Sequence, residues 1–111
     1  MKKGICMSVL AVALGLALSA FAATKPGNAA KGKDAFDGTC AACHNAESTE
    51  PKVGPGLKGL FKKAAMANKK KATDATVLEI INKGTGGSMP PLADQLSDQE
   101  KADVIAYLKT L

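Results

Sequence analysis

Apolar residues follow two different patterns along this chain. Val9 to Leu18 is a continuous apolar run, whereas beyond residue 28 the large apolar side chains recur three and four positions apart, the spacing of one helix face. Nowhere do they alternate with polar residues as a half-buried strand requires, so the pattern predicts an all-α domain. Asn28 can cap a first helix reaching Gly38 or Thr39, with Gly32, Phe36 and Cys40 four apart and therefore on one face. A second, short helix is expected over residues 57–67. Thr73 is the candidate cap of a third, with Val77, Leu78 and Ile81 as its apolar stripe and Gly84 where helices stop. The clearest is the last: Ser97-Asp98-Gln99-Glu100 is a capping box, followed by Val104, Ile105, Leu108 and Leu111 at helical spacing. Residues 45–56 and 84–96 are irregular and rich in Gly and Pro, and there the functional residues are expected.

The amino-terminal run has Lys2 and Lys3 ahead of it and the small-x-small triplet Ala20-Phe21-Ala22 behind it, then the polar Thr24-Lys25-Pro26-Gly27-Asn28. That order reads as a secretory signal peptide over residues 1–22, with an exported mature domain over 23–111. The competing reading is a retained membrane anchor: residues 5–23 approach a spanning length, weakened by Ser8, Gly15 and Ser19. Cleavage removes Cys6, leaving Cys40 and Cys43 as a pair. It also removes two of the 15 lysines, so the net charge of +5 becomes +3. There is no clustered Arg with interleaved aromatics, and no nucleic-acid partner is expected.

Removing the leader also thins the core. Residues 1–22 hold 16 of the hydrophobic residues; the remaining 89 residues hold 35, of which only 18 are Val, Ile, Leu, Met, Phe or Tyr. A small domain so poor in large side chains usually recruits a disulfide, a metal or another buried body.

Cys40-Ala41-Ala42-Cys43-His44 supplies that body. The C-x-x-C-H spacing is the signature of covalent c-type haem attachment: two thiols three residues apart add to the two vinyl groups of one porphyrin edge, and the adjacent imidazole is held under the ring within reach of iron. The alternatives each lack something. Structural zinc needs four ligands, and only Cys40, Cys43 and His44 stand at ligand spacing. A thioredoxin-type dithiol opens a helix after a strand, and no strand precedes Cys40. A disulfide between Cys40 and Cys43 would close a very small loop and constrain little.

With Gly54-Pro55-Gly56-Leu57-Lys58-Gly59-Leu60-Phe61 and Gly87-Ser88-Met89-Pro90-Pro91 added to that motif, the chain resembles the class I cytochromes c, small secreted or periplasmic electron carriers. With Gly32, Phe36 and Tyr107, the matches span essentially the whole mature chain. The resemblance implies the cytochrome c fold, three to five helices around one haem c bound through Cys40 and Cys43. The first and last helices would cross at Gly32, with Phe36 and Tyr107 at the contact; otherwise the first helix simply starts late. It further implies His44 as proximal iron ligand, its other ring nitrogen donating to the carbonyl of Pro55, with Leu57 and Phe61 on the haem or lining its pocket. Pro55 also reads as a plain turn residue, and Leu57 and Phe61 as ordinary core.

Met89 is the implied sixth ligand. A residue before proline is pushed out of the helical region, so Met89-Pro90 favours an extended loop from which a thioether points inward. Met66 is its rival in the mature chain, and among Ala64, Ala65 and Ala67 it reads as packing. One His in the chain excludes two-histidine ligation from within. The chain departs from its relatives in having no Trp and few donors for the haem carboxylates, Ser88, Asn82 and Lys83 being the candidates.

The expected function is therefore a monomeric periplasmic carrier of single electrons, not an enzyme, that meets redox partner proteins transiently. Lys58, Lys62, Lys63, Lys69, Lys70 and Lys71 form either a docking patch for an acidic partner or a solvated face. Two rival readings are a dedicated haem subunit of a respiratory or sulfur- or nitrogen-oxidising complex, and a haem-based sensor whose sixth site opens to a small ligand.

Overall fold

The computed structural model describes residues 25–111; the expected leader over residues 1–22, its cleavage point and Cys6 lie outside them. Three α-helices, α1 (Ala29–Thr39), α2 (Asp74–Lys83) and α3 (Asp98–Leu108), are joined by long irregular segments, with one 3-10 turn at Leu60–Lys62. Among the described residues there is no strand, and no helix is long and apolar enough to cross a membrane.

Each helix begins where a polar side chain replaces a missing backbone acceptor. Asn28 accepts from the Lys31 N–H at 3.0 Å. Ser97 and Glu100 close the expected capping box on α3, the Ser97 N–H donating to Glu100 at 2.7 Å. Thr73 caps α2 in the same reciprocal way, with Thr76 in the place usually held by Glu or Gln.

The first and last helices cross at Gly32. A Cβ there would run into the backbone carbonyl of Asp103, so only glycine lets the two backbones come so close. One turn on, Phe36 meets Tyr107 edge to face, ring centroids 5.5 Å apart and planes at 61°. Phe36 and Val104 are each 1% exposed and form the centre of a core completed by Val77, Ile81, Leu92, Leu96, Ile105 and Leu108. The crossing is tied from outside by a clamp that spans the chain. The Asn28 N–H donates to Asp103 at 2.8 Å, the Lys25 N–H donates to Gln99 at 2.8 Å, and the Gln99 amide donates back to the Lys25 carbonyl at 3.1 Å and to Asp103 at 3.0 Å.

The helix expected over 57–67 is absent. Gly59 is left-handed at φ 71° and Lys63 is extended at ψ 151°, so the chain makes a single 3-10 turn between them and continues as irregular backbone. Helix propensity in the Ala/Lys-rich stretch is overridden because none of its residues between 62 and 71 is buried, and an isolated segment gains little from helix formation without a face to bury.

Candidate haem site

α1 delivers the motif. Its last turn closes as the Cys40 and Ala41 N–H groups, four and five residues on, both donate to the Phe36 carbonyl, at 2.7 and 2.9 Å. The Cys43 and His44 N–H groups then donate to the Cys40 carbonyl at 3.1 and 3.0 Å. This compact turn brings both thiols and the imidazole into the wall of one cleft. No disulfide joins Cys40 to Cys43. Burial pushes the Cys40 thiol up to about 11, which keeps it protonated and is the opposite of the lowered value that a dithiol redox centre needs.

His44 is seated by two neighbours. Its Nδ1 lies 2.8 Å from the carbonyl of Pro55, which has no proton to give, so Nδ1 carries a hydrogen and the lone pair of the neutral ring falls to Nε2. That is the tautomer a metal-ligating histidine needs, fixed by the partner of its other nitrogen. Behind the ring stands Gly54, where a Cβ would overlap the imidazole. Gly54 cannot drift away, because its N–H donates to the Cys43 carbonyl at 2.7 Å and its carbonyl accepts from Lys52 N–H at 2.8 Å.

The cleft has a volume of about 980 Å³, at the upper end of cofactor sites, and its walls are mostly carbon. Cys40, Cys43, His44, Pro55, Leu57 and Met89 all line it. Leu57 and Met89 are half-buried and also pack against the core. Met89 stands in the loop that follows Gly84, tied back by the Thr85 N–H donating to the Met89 carbonyl at 3.3 Å. Leu60 lines the cleft, while Phe61 takes the place of an ordinary core residue. Because the segment is a 3-10 turn, the Phe61 ring instead packs against the core beneath the Lys109 ammonium, 5.8 Å from its centroid. Met66, expected on a helix, lies in a turn and also lines the cleft. A second groove of about 870 Å³, between residues 25–27, α2 and α3, contains none of the motif residues.

Two features of the site join residues with no periodic relation along the chain. Gly54 is the seat of the imidazole, a contact between residues ten apart in an irregular loop. All four charged side chains lining the cleft, Lys63, Lys70, Glu79 and Lys83, come from the stretch 63–83.

An apolar cleft walled by irregular segments and parts of all three α-helices, lined by two unpaired thiols and an imidazole held through Nδ1, fits a covalently held porphyrin. This fold and site define a c-type cytochrome. The family model described as cytochrome c oxidase, cbb3-type, subunit III matches residues 27–108. A cytochrome c of Chlamydomonas reinhardtii is 34% identical over 83% of this chain and 96% of its own length. A cytochrome c6 of Synechocystis is 38% identical over 71% of this chain and 62% of its own. The crystal structure of cytochrome c6 from the diatom Phaeodactylum tricornutum superposes with a TM-score of 0.61 at 25% identity, covering 76% of this chain and 93% of that one. The chain belongs to this family, the small class I c-type cytochromes, whose members transfer electrons on a covalent haem c and are not enzymes.

Proposed function

We propose that the mature domain, residues 23–111, is exported to the periplasm and carries single electrons on one haem c, with Cys40 and Cys43 as its thioether anchors and His44 and Met89 as its axial ligands. The haem supplies the one-electron couple of its iron; the chain supplies everything that keeps the couple simple. The observation that carries the reading is the His44 imidazole held through Nδ1 by Pro55, since it leaves Nε2 as a pre-oriented base in the cleft that also holds both thiols. Leu57, Leu60 and the core beneath them keep water from the iron, and filling the sixth position from within the chain leaves no open site for substrate chemistry. A sulfur ligand opposite a nitrogen favours a higher potential than two nitrogens would.

A dedicated subunit of a respiratory complex is the second reading, favoured by the description of the matching family model. Permanent subunits present extended apolar surface. Val53, 64% exposed, is the only large hydrophobic residue fully at the surface among the described residues, which supports a monomer that meets its redox partners transiently. The exposed lysines at 58, 62, 63, 69, 70 and 71 suit an acidic docking face on such a partner.

The test is an absorption spectrum with a redox titration and an intact mass on the periplasmic protein. One covalent haem, a one-electron Nernst curve and a mass starting at Ala23 are expected. A haem-free protein, or a mass that includes residues 1–22, would overturn the corresponding part.

A further inference from the structure

The turn that carries both thiols and the imidazole lies at the carbonyl end of α1, where backbone acceptors need donors from elsewhere. The Cys40 carbonyl is met by the Cys43 and His44 N–H groups and the Cys43 carbonyl by the Gly54 N–H. The Ala41 carbonyl is met by the Lys52 ammonium, which donates at 3.0 Å from eleven residues further along the chain. The last turn of α1 has no basic residue, so Lys52 brings from another segment the cation that a helix carboxyl end favours. The same residue is held through its backbone, since its N–H donates to the Gly54 carbonyl at 2.8 Å while the Gly54 N–H donates to Cys43 at 2.7 Å. Residues 52–54 therefore straddle the motif, gripping it at Ala41 and at Cys43. The next residue is Pro55, whose carbonyl holds His44 Nδ1. The loop behind this grip closes on itself. The Leu57 N–H donates to the Asn45 carbonyl at 2.8 Å and the Asn45 amide to the Glu50 carbonyl at 2.9 Å, and a Cβ on Gly56 would overlap the Ser48 carbonyl. A loop closed in this way moves as a unit, so whatever fixes it against the motif also fixes the Pro55 carbonyl against the imidazole.

Resting on the haem reading above, we propose that Lys52 is a positioning residue for the histidine that ligates iron: its ammonium latches the loop over residues 45–57 onto the Ala41 carbonyl and so holds the Pro55 carbonyl on His44. Lys52 acts through the backbone and does not itself touch the imidazole. Its two effects have different physical signatures. As a latch it keeps the bond from Gly54 to Cys43 closed, and without it the loop opens locally more often. As a charge it offsets the partial negative end of α1 beside the cysteines, which favours reduced iron, so its loss favours the oxidised form. Salt screens the effect of the charge and leaves the latch in place. The latch requires a long side chain that ends in a charged donor. Arginine meets that requirement; methionine has comparable length and nothing to donate.

The test uses the full-chain holoprotein, haem attached, in Lys52→Met and Lys52→Arg, beside Lys31→Met in the first turn of α1. Amide exchange at Gly54 is expected to quicken roughly fivefold in Lys52→Met, the effect of one net hydrogen bond, while the amides of α1 and α3 exchange as in the parent. In the same variant the ring-proton resonances of His44 move, and the oxidised-to-reduced ratio at fixed poise rises roughly two- to fivefold, by less at high salt. Lys52→Arg returns all three readouts to within about twofold of the parent, and Lys31→Met leaves Gly54 exchange and the His44 resonances unchanged. Full haem occupancy in Lys52→Met with parental Gly54 exchange and unmoved His44 resonances would overturn the latch and leave the haem reading intact, as would changes in Lys52→Arg as large as those in Lys52→Met. Protein that carries no covalent haem would overturn both.

Discussion

The seat of His44 can be tested by adding one methyl group. In Gly54→Ala the new Cβ would overlap the imidazole, lying 2.8 Å from Nδ1 and 3.0 Å from Nε2 even where it meets the ring's nitrogens. The backbone cannot yield, since both polar groups of Gly54 are held by hydrogen bonds of 2.7 and 2.8 Å, so the ring must turn and release Pro55. The lost hydrogen bond costs about 1 kcal/mol and an imidazole driven off its rotamer about another 1 kcal/mol. Gly38→Ala is the matched control: nothing lies within 4 Å of its Cβ, and it sits inside α1, where alanine gains about 0.5–1 kcal/mol. Both substitutions change the unfolded chain alike, so the difference between them, about 2–3 kcal/mol, isolates the clash. In a domain of this size it separates the two melting temperatures by roughly 10–20 °C. With His44 ligating as proposed, loss of its partner also weakens its hold on a metal by about 10–100-fold, visible as a changed haem spectrum. Equal melting temperatures and an unchanged spectrum in the two variants would refute the reasoning.

Other substitutions probe the frame. Gly32→Ala forces a methyl against the Asp103 carbonyl at the helix crossing and is expected to cost about 1–3 kcal/mol in urea unfolding; the gain of an exposed helical Gly→Ala would contradict the crossing. Ser97→Ala opens the α3 capping box and should cost about 1 kcal/mol by the same assay. Asp103 is held below the ordinary carboxylate value of 3.8, first by the Asn28 N–H and then by Gln99. Its folded value is thus lower than its unfolded one, so its contribution is present above 3.8 and is lost as pH falls through that value toward the folded one. Denaturant midpoints between about pH 5 and about pH 3 should therefore fall less steeply in Asp103→Asn than in the parent, and identical slopes would remove the clamp.

Legibility from sequence tracked distance along the chain. The caps at Asn28, Thr73 and Ser97 are local devices of three or four residues and stand in the structure where they were read. The Cys40–His44 motif is contiguous, so its chemistry was readable before any fold was known. The helix expected over 57–67 failed because alanine and lysine report intrinsic preference while left-handed Gly59 and the lack of a buried face decide the outcome. Contacts without a periodic signature were invisible: Gly54 behind His44, and the clamp from Lys25 and Asn28 to Gln99 and Asp103, about 75 positions away.

The central claim is that His44 and Met89 together close the iron to other ligands. Carbon monoxide offered to the reduced protein tests it most directly, in the parent chain and in Met89→Ala. The account predicts slow or absent binding in the parent, and in Met89→Ala a retained haem, a lowered potential and rapid stoichiometric binding. Rapid stoichiometric binding in the parent, or a Met89→Ala spectrum and potential identical to the parent's, would contradict it.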